Sequence, residues 1–184
     1  MMPALDGSAV PVAVAGPDKG LVVVVLGAEQ RTLDAYDAVC ERLHNASLRT
    51  VVVGSDRQRT PKFVDGIFDA LEIGWAVVVG DGAGAELAWE LAATRFGRFL
   101  GLVAVDRGHP GVADVDGVIR DARCPAVEVA TTVLVSSPAA RAVALASQRL
   151  VYADYRTVEL LGERDADEST AQLATEIVLR TNGW

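Results

Sequence analysis

The chain alternates short runs of β-branched apolar residues with stretches whose apolar residues recur every three or four positions. Four runs consist almost entirely of valine, leucine and alanine, at 21–26, 50–54, 75–79 and 100–105. Such runs are typical of strands that are buried on both faces. Because a helical pattern separates each run from the next, the sequence predicts β–α–β units, which build a parallel sheet flanked by helices on both faces.

The three intervening helices are predicted from apolar residues at i, i+3, i+4 and i+7 spacing, which share one face of a helix. These faces are Tyr36, Val39, Cys40 and Leu43; then Val64, Ile67, Phe68 and Leu71; then Gly84, Leu87, Ala88, Leu91 and Ala92.

The C-terminal third continues the same alternation. We expect strands at 126–135 and 156–161 and helices at 138–149 and 169–181, the last one burying Leu173, Ala174, Ile177 and Val178.

The first residues predict a small antiparallel lead-in. Residues 9–16 alternate in polarity and follow Asp6-Gly7, a dipeptide that favours tight turns. No repeat or linker interrupts the chain, so we expect one α/β domain spanning residues 1–184. Its mostly parallel sheet would carry helices on both faces and a short antiparallel lead-in.

Composition narrows the classes of partner. The net charge of −8 and the pI of about 4.7 argue against nucleic acid and anionic membranes as partners. The apolar runs are far shorter than the ~20 residues that span a bilayer, and the N-terminus lacks the pattern of a signal peptide. Cys40 and Cys124 stand alone, which favours core packing in a reducing compartment. We therefore expect a cytoplasmic protein.

The segment VVVGDGAGAEL at 77–87 carries the strongest candidate chemistry, because it runs from a predicted strand through a glycine-spaced turn into a helix. Its spacing fits the elbow that presents a nucleophile, small–x–nucleophile–x–small, with Gly82 at the centre. The nucleophile of such an elbow has a strained backbone with positive φ, which glycine adopts without steric cost.

Two other interpretations fit the same turn. Residues 80–85 read GxGxxA, and Asp106 follows about 20 residues later, where a dinucleotide-binding unit places its ribose-binding carboxylate. A tight turn without any ligand requires only the glycines.

Four quoted stretches resemble the α/β-hydrolase family, especially its esterase and lactonase-like branch. LDGSAVPVAVAGPDKG with LVVVVLG is similar to that family's antiparallel entry and first parallel strand, and DALEIGWAVVVGDGAGAELAWELAATRFGRFLGLVAVD to its elbow, helix and following strand. RCPAVEV resembles the strand after the lid insertion, and RTVELLGERDADE the strand that leads to the catalytic histidine. The resemblance implies the α/β-hydrolase fold and, in complete members, acyl transfer by a Ser-His-acid triad.

Every catalytic position of that family is different in this chain. Gly82 stands in place of the nucleophilic serine, and Asp81 in place of the histidine before it. Leu26-Gly27 replaces the His-Gly pair of the oxyanion loop, Ser137 lies where the acid is expected, and Asp165 where the histidine is expected. Only seventeen residues, 107 to 123, are available where the family inserts its lid.

The resemblance therefore implies a lidless member with a degenerate site, which binds a small anionic or apolar ligand or serves as a scaffold or regulatory protein. No cofactor or resident metal is expected, and a protein partner or homo-oligomer remains open. The expected ligand positions at the carboxyl edge of the sheet are Gly27, Ala28, Asp81, Gly82, Ala83, Asp106 and His109.

Two enzymatic or cofactor-binding alternatives stay open on the sequence alone. Asp81 and His109 could form a relocated hydrolytic site for ester-type substrates, and with Asp106 they could hold a metal ion. The same residues are also typical of a solvated loop. The second alternative is the dinucleotide-binding module built on the glycine turn.

Overall fold

The computed structural model describes residues 2–3, 9–56 and 59–182. The strands are β1 (Met2–Pro3), β2 (Ala9–Val10), β3 (Val12–Ala15), β4 (Val22–Leu26), β5 (Arg49–Val53), β6 (Ala76–Asp81), β7 (Phe99–Val105), β8 (Ala130–Val135) and β9 (Tyr155–Glu159). The helices are α1 (Asp37–Asn45), α2 (Pro61–Ala70), α3 (Ala83–Thr94), α4 (Pro138–Ser147) and α5 (Asp167–Thr181). Short 3₁₀ turns precede α1 and follow α4.

Seven strands form one twisted sheet in the order β3-β5-β4-β6-β7-β8-β9. All neighbours are parallel except β3, which runs antiparallel to β5. The predicted α/β class with a mostly parallel sheet is thereby confirmed. β6 lies at the centre of the sheet, so the turn that follows it opens at the middle of the carboxyl edge.

Successive residues of the central strands face opposite layers, as the period of a strand requires. In β4, Val22, Val24 and Leu26 pack in the cluster that contains the buried residues of α2, α3 and α4. Val23 and Val25 pack instead with α1 and α5. Helices therefore cover both faces, which explains why the strands read as unbroken apolar runs.

The antiparallel entry has two parts. β1 pairs with β2 as a two-stranded ladder, and β3 joins the edge of the main sheet beside β5. Pro11 separates the two parts, and its carbonyl accepts a hydrogen bond from Gly54. The predicted turn at Asp6-Gly7 lies outside the described residues.

One predicted strand is too long. Of residues 126–135, only Ala130–Val135 forms a strand beside β7. Val127 makes an isolated bridge with Val151, and its neighbour Glu128 is exposed. The apolar run therefore combines a bridge in the preceding loop with a buried strand, a distinction that periodicity alone does not make.

Candidate functional site

The turn after β6 has the backbone of a nucleophile elbow. β6 ends at Asp81, α3 begins at Ala83, and Gly82 between them has φ 55° and ψ −121°. A Cβ at Gly80 would lie 2.3 Å from Ala85 Cα, and a Cβ at Gly84 would lie 1.9 Å from Leu26 O. The flanking glycines thus permit the strand and the helix to approach more closely than any side chain would allow.

The phenol of Tyr36 fills the space beside this turn. Its hydroxyl accepts a hydrogen bond from Ala28 N (2.8 Å) and donates one to Asp81 Oδ2 (3.1 Å). Burial, followed by the charge of Asp81, raises the pKa of Tyr36 to about 12, so the hydroxyl keeps its proton near neutral pH. One of the N–H groups expected to face a ligand is therefore already bound by the chain itself.

Two carboxylates at the ends of adjacent strands share one guanidinium. Arg164, in the loop between β9 and α5, forms an ion pair with Asp81 Oδ1, and its Nη2 lies 3.7 Å from Asp106 Oδ2. The side chain of Asp81 is only 8% exposed, whereas that of Arg164 is 35% exposed. The cation thus enters from the surface to reach a buried acid.

Asp106 has a left-handed backbone, with φ 56°. Its carboxylate accepts hydrogen bonds from Ser136 N (2.7 Å) and Ser136 Oγ (2.6 Å), which tie the end of β7 to the end of β8. The neighbouring Ser137 caps helix α4 by accepting a hydrogen bond from Ala140 N at 3.1 Å. At the position where the sequence resemblance places an acid, the structure therefore has a helix cap, and the acid that contacts the neighbouring Ser136 is Asp106.

A second arginine closes the outer side of the site. Arg31 pairs with the exposed Asp165 and lies 5.4 Å above the Tyr36 ring, a cation–π distance. The structure thus places Asp165 at the rim of the site, but with its side chain turned to Arg31. Arg164, one residue earlier, is the side chain that reaches the elbow region.

These side chains leave a cavity of only about 40 Å³, lined by Arg31, Tyr36, Asp81, Val105, Arg164 and Leu173 among others. A single water occupies roughly 10–15 Å³, so this cavity holds a few waters and no organic substrate. Two buried polar atoms here accept or donate no hydrogen bond within the protein, Arg31 Nε and Asp81 Oδ1. On the other side of the turn, a more open cleft of about 600 Å³ is lined by Glu29, Ser55, Asp56, Arg59, Ala83 and Leu87.

The structure does not bring His109 to this cluster. The ring is fully buried and packs edge-to-face on Trp89, with the ring centroids 5.6 Å apart. Nδ1 accepts a hydrogen bond from Gly111 N (3.0 Å), and Nε2 lies 2.7 Å from Pro125 O, which assigns the proton to Nε2. Burial lowers the pKa of His109 and favours this neutral form.

Consequently, the Asp81–Asp106–His109 metal arrangement does not form. Among residues 2–3, 9–56 and 59–182, no three histidine, cysteine, aspartate or glutamate side chains are grouped as a metal site would need. Residues 107–123 follow β7 as an irregular loop that contains turns and bends. In the same described ranges, no helix is long and apolar enough to cross a membrane.

Sequence reasoning missed Tyr36, Arg31 and Arg164. Tyr36 belongs to an apolar helical face in the sequence pattern, yet its hydroxyl reaches the site while its ring packs in the core. Arg164 lies in the charge-rich segment ERDADE, whose pattern indicates a solvated loop. The sequence did contain one indication of these partners: Asp81 ends a buried central strand, and a buried carboxylate requires a cation or a hydrogen-bond donor.

Comparison with known proteins bears on the fold. No protein-family description and no curated protein matches the sequence. Similar solved structures include epoxide hydrolase A from Mycobacterium thermoresistibile (TM-score 0.72, 10% identity, 95% of each chain covered). Another is a carboxylesterase structure from Nitrososphaera gargenis (TM-score 0.74, 9% identity), and the match covers 100% of this chain and 99% of that one.

An α/β hydrolase from Sphaerobacter thermophilus is similar to the same extent, with a TM-score of 0.72 and 16% identity over 98% of this chain and 99% of that one. Likeness at these identities concerns the backbone arrangement and not the chemistry. The strand order, the elbow at Gly82 and these structures agree, and the chain therefore has the α/β-hydrolase fold.

Proposed function

We propose that this chain is a non-catalytic binding protein built on the α/β-hydrolase fold. One observation carries the proposal: the apex of the elbow is Gly82, with φ 55°, in the position from which a nucleophile would attack. Glycine has no side chain to form a covalent intermediate. In a serine hydrolase, removal of the nucleophile alone lowers turnover about 10⁶-fold.

The supply of general bases supports the same proposal. The chain contains two histidines. His109 is held by backbone groups in the core, and His44 Nε2 lies 2.8 Å from Thr50 Oγ1. Neither ring is free to take a proton from a nucleophile at the elbow, which also weighs against a relocated hydrolytic site made from Asp81 and His109.

The electrostatics of the site argue against an anionic ligand. The N–H groups of the turn favour an anion, but Asp81 and Asp106 stand at the same edge and repel one, and Ala28 N already donates to Tyr36. A ligand of this site is therefore expected to be neutral or cationic.

The size of the cavity supports a second candidate, a scaffold or regulatory role. The cavity beside Asp81 has about 40 Å³ and is closed by the protein's own side chains, whereas the cleft beside Ala83 is open. A site that is closed on the Asp81 side would serve a protein partner or a second copy of the chain through its outer surface. In that case, small molecules would not change the stability of the protein, whereas a macromolecular partner would.

Two assays test the absence of catalysis: hydrolysis of p-nitrophenyl acetate, and labelling by a fluorophosphonate probe. We expect no hydrolysis above that of the heat-denatured protein and no label on the wild type. Gly82→Ser should remain unlabelled, because no base is placed to activate it. Gly82→Ala is the matched control, since both variants put a Cβ about 3.2 Å from Ala28 Cβ at the same positive φ.

Acylation of a defined residue in the wild type would refute the proposal. Labelling of Gly82→Ser but not Gly82→Ala would show that a base does reach the elbow. Circular dichroism of each variant verifies that it is folded before its activity is interpreted.

A further inference from the structure

Arg164 occupies the place in which α/β sheets hold ligands. The guanidinium lies against Asp81, at the end of β6, and close to Asp106, which directly follows β7. These are neighbouring central strands, and their carboxyl ends form the edge at which open α/β sheets bind. The arginine reaches this edge from a loop and belongs to neither strand.

Asp81 requires a cation at this position. Its side chain is 8% exposed, and a buried carboxylate without a cationic or hydrogen-bonding partner is strongly unfavourable. Oδ2 accepts from the Tyr36 hydroxyl, whereas Oδ1 faces Arg164 as an ion pair and accepts no hydrogen bond. The Arg164 guanidinium is therefore the partner of Oδ1 next to the 40 Å³ cavity.

Arg164 is held at this edge by ion pairs of its side chain and not by the hydrogen bonds of the sheet. Among the residues that the structure describes, its side chain pairs with the carboxylates of Asp81 and Asp106, and it is 35% exposed. The next residue, Asp165, is 80% exposed and pairs with Arg31. The Arg31–Asp165 pair is open to water and contributes little to stability. Withdrawal of Arg164 alone would leave the buried Asp81 carboxylate without a cation, so Arg164 leaves the edge when another cation takes its place.

We propose that Asp81 and Asp106 form a binding site for a guanidinium or alkylammonium group presented in trans, and that Arg164 is the internal occupant that closes it. A planar guanidinium can donate to two carboxylates at once. The net charge of −8 attracts such ligands. The inference rests on the proposed binding function and names its ligand class.

Arg164 competes with any free cationic ligand for the two carboxylates. A tethered group acts at an effective concentration on the order of millimolar. A free ligand therefore binds the wild type only after displacing Arg164. Removal of that side chain should tighten binding at least tenfold.

The experiment titrates Arg164→Ala with agmatine, with the peptide Gly-Arg-Gly and with Gly-citrulline-Gly, whose side chain is neutral, using calorimetry and thermal unfolding. We expect the guanidinium probes to bind at least tenfold more tightly than to the wild type and the citrulline peptide not to bind. Asp81→Asn in the Arg164→Ala background should lose at least tenfold in affinity. Arg141→Ala is the matched control, because it removes another arginine from an exposed ion pair.

The two guanidinium probes distinguish the sources of the ligand. Agmatine binding as tightly as the peptide assigns a small amine, and tighter binding of the peptide assigns the arginine of a protein partner. Arg164→Gln replaces Arg164→Ala if the latter is not folded by circular dichroism.

The inference is overturned if neither folded variant binds a guanidinium probe, or if Arg141→Ala or the Asp81→Asn variant binds as well as Arg164→Ala. Covalent labelling of the wild type would refute the proposed function instead, so the two failures can be told apart.

Discussion

A single methyl group at Gly84 tests whether the elbow depends on contact between helix α3 and strand β4. In the Gly84→Ala variant, the new Cβ would lie 1.9 Å from Leu26 O, 2.5 Å from Leu26 C and 2.9 Å from Gly27 O. All three are backbone atoms. Non-bonded carbon contacts are optimal at roughly 3.5 Å, so the start of α3 must move away from the sheet by more than about 1 Å.

The expected loss follows from two opposing effects. Overpacking of a close-packed core costs about 1–3 kcal/mol, and more where only backbone can move. Alanine returns about 1 kcal/mol of helix propensity relative to glycine. Because all three clashing atoms are backbone, we take the upper end of that range, about 3 kcal/mol. The net loss is then about 2 kcal/mol, which lowers Tm by about 4–8 °C at roughly 2–4 °C per kcal/mol for a chain of this size.

Gly66→Ala is the matched control. Gly66 is an exposed residue of helix α2, and a Cβ there meets nothing within 4 Å. The same substitution should therefore stabilise the protein by about 1 kcal/mol. Thermal and urea unfolding, followed by circular dichroism, measure both variants. Equal Tm changes in the two variants, or an unchanged Tm for Gly84→Ala, would refute the close approach.

Two further predictions concern titrating groups. Burial lowers the pKa of His109, so below the ordinary value near 6.5 the unfolded chain binds this proton before the folded one. Stability from His109 is complete above about pH 6.5 and declines as the pH falls. Urea unfolding at pH 5, 6 and 7 should show a smaller decline for His109→Gln; identical profiles would contradict the buried neutral ring. Burial raises the pKa of Cys124 to about 11 and also raises that of Cys40. Ellman's reagent at pH 8 should therefore modify both thiols only as fast as the protein unfolds, and rapid reaction of the native protein would show an exposed thiolate.

The fold could be predicted because burial on two faces leaves a direct signature. A central parallel strand such as Val22–Leu26 must be apolar at every position, and an amphipathic helix between strands must lie on a face of the sheet. The predicted strand at 126–135 was too long, because its first residues are apolar for a reason other than strand formation. Val127 is fully buried although it forms an isolated bridge in a loop and not a strand. A buried loop residue is apolar just as a strand residue is, so the sequence does not distinguish the two.

The elbow could be predicted for a different reason, which is backbone geometry. Gly80 and Gly84 leave no room for a Cβ, and Gly82 has a positive φ, so the spacing of three glycines states the conformation of the turn. The partners of Asp81 carry no comparable signal. Tyr36 and Arg164 are 45 and 83 positions away, on elements whose relative placement is decided by tertiary packing.

His109 was predicted at the site, but the structure buries it elsewhere. Its sequence position, three residues after Asp106, predicts a place at the carboxyl edge of the sheet. The chain turns inward instead, because the ring packs against Trp89 and satisfies the backbone of Gly111 and Pro125. Proximity along a loop therefore does not predict which side chain of that loop faces the site.

Gly82 and Asp106 both have a positive φ at the carboxyl edge, and they differ in a way that bears on function. At Gly82 the positive φ carries no steric cost, because the residue has no side chain. At Asp106 a side chain is present despite φ 56°, a conformation that costs non-glycine residues of order 1–3 kcal/mol, although aspartate tolerates it better than most. Hydrogen bonds from Ser136 and the attraction of Arg164 offset that cost only because the side chain is a carboxylate. The edge thus holds a carboxylate against strain beside an elbow that has no nucleophile, and the proposed cation site would use this carboxylate.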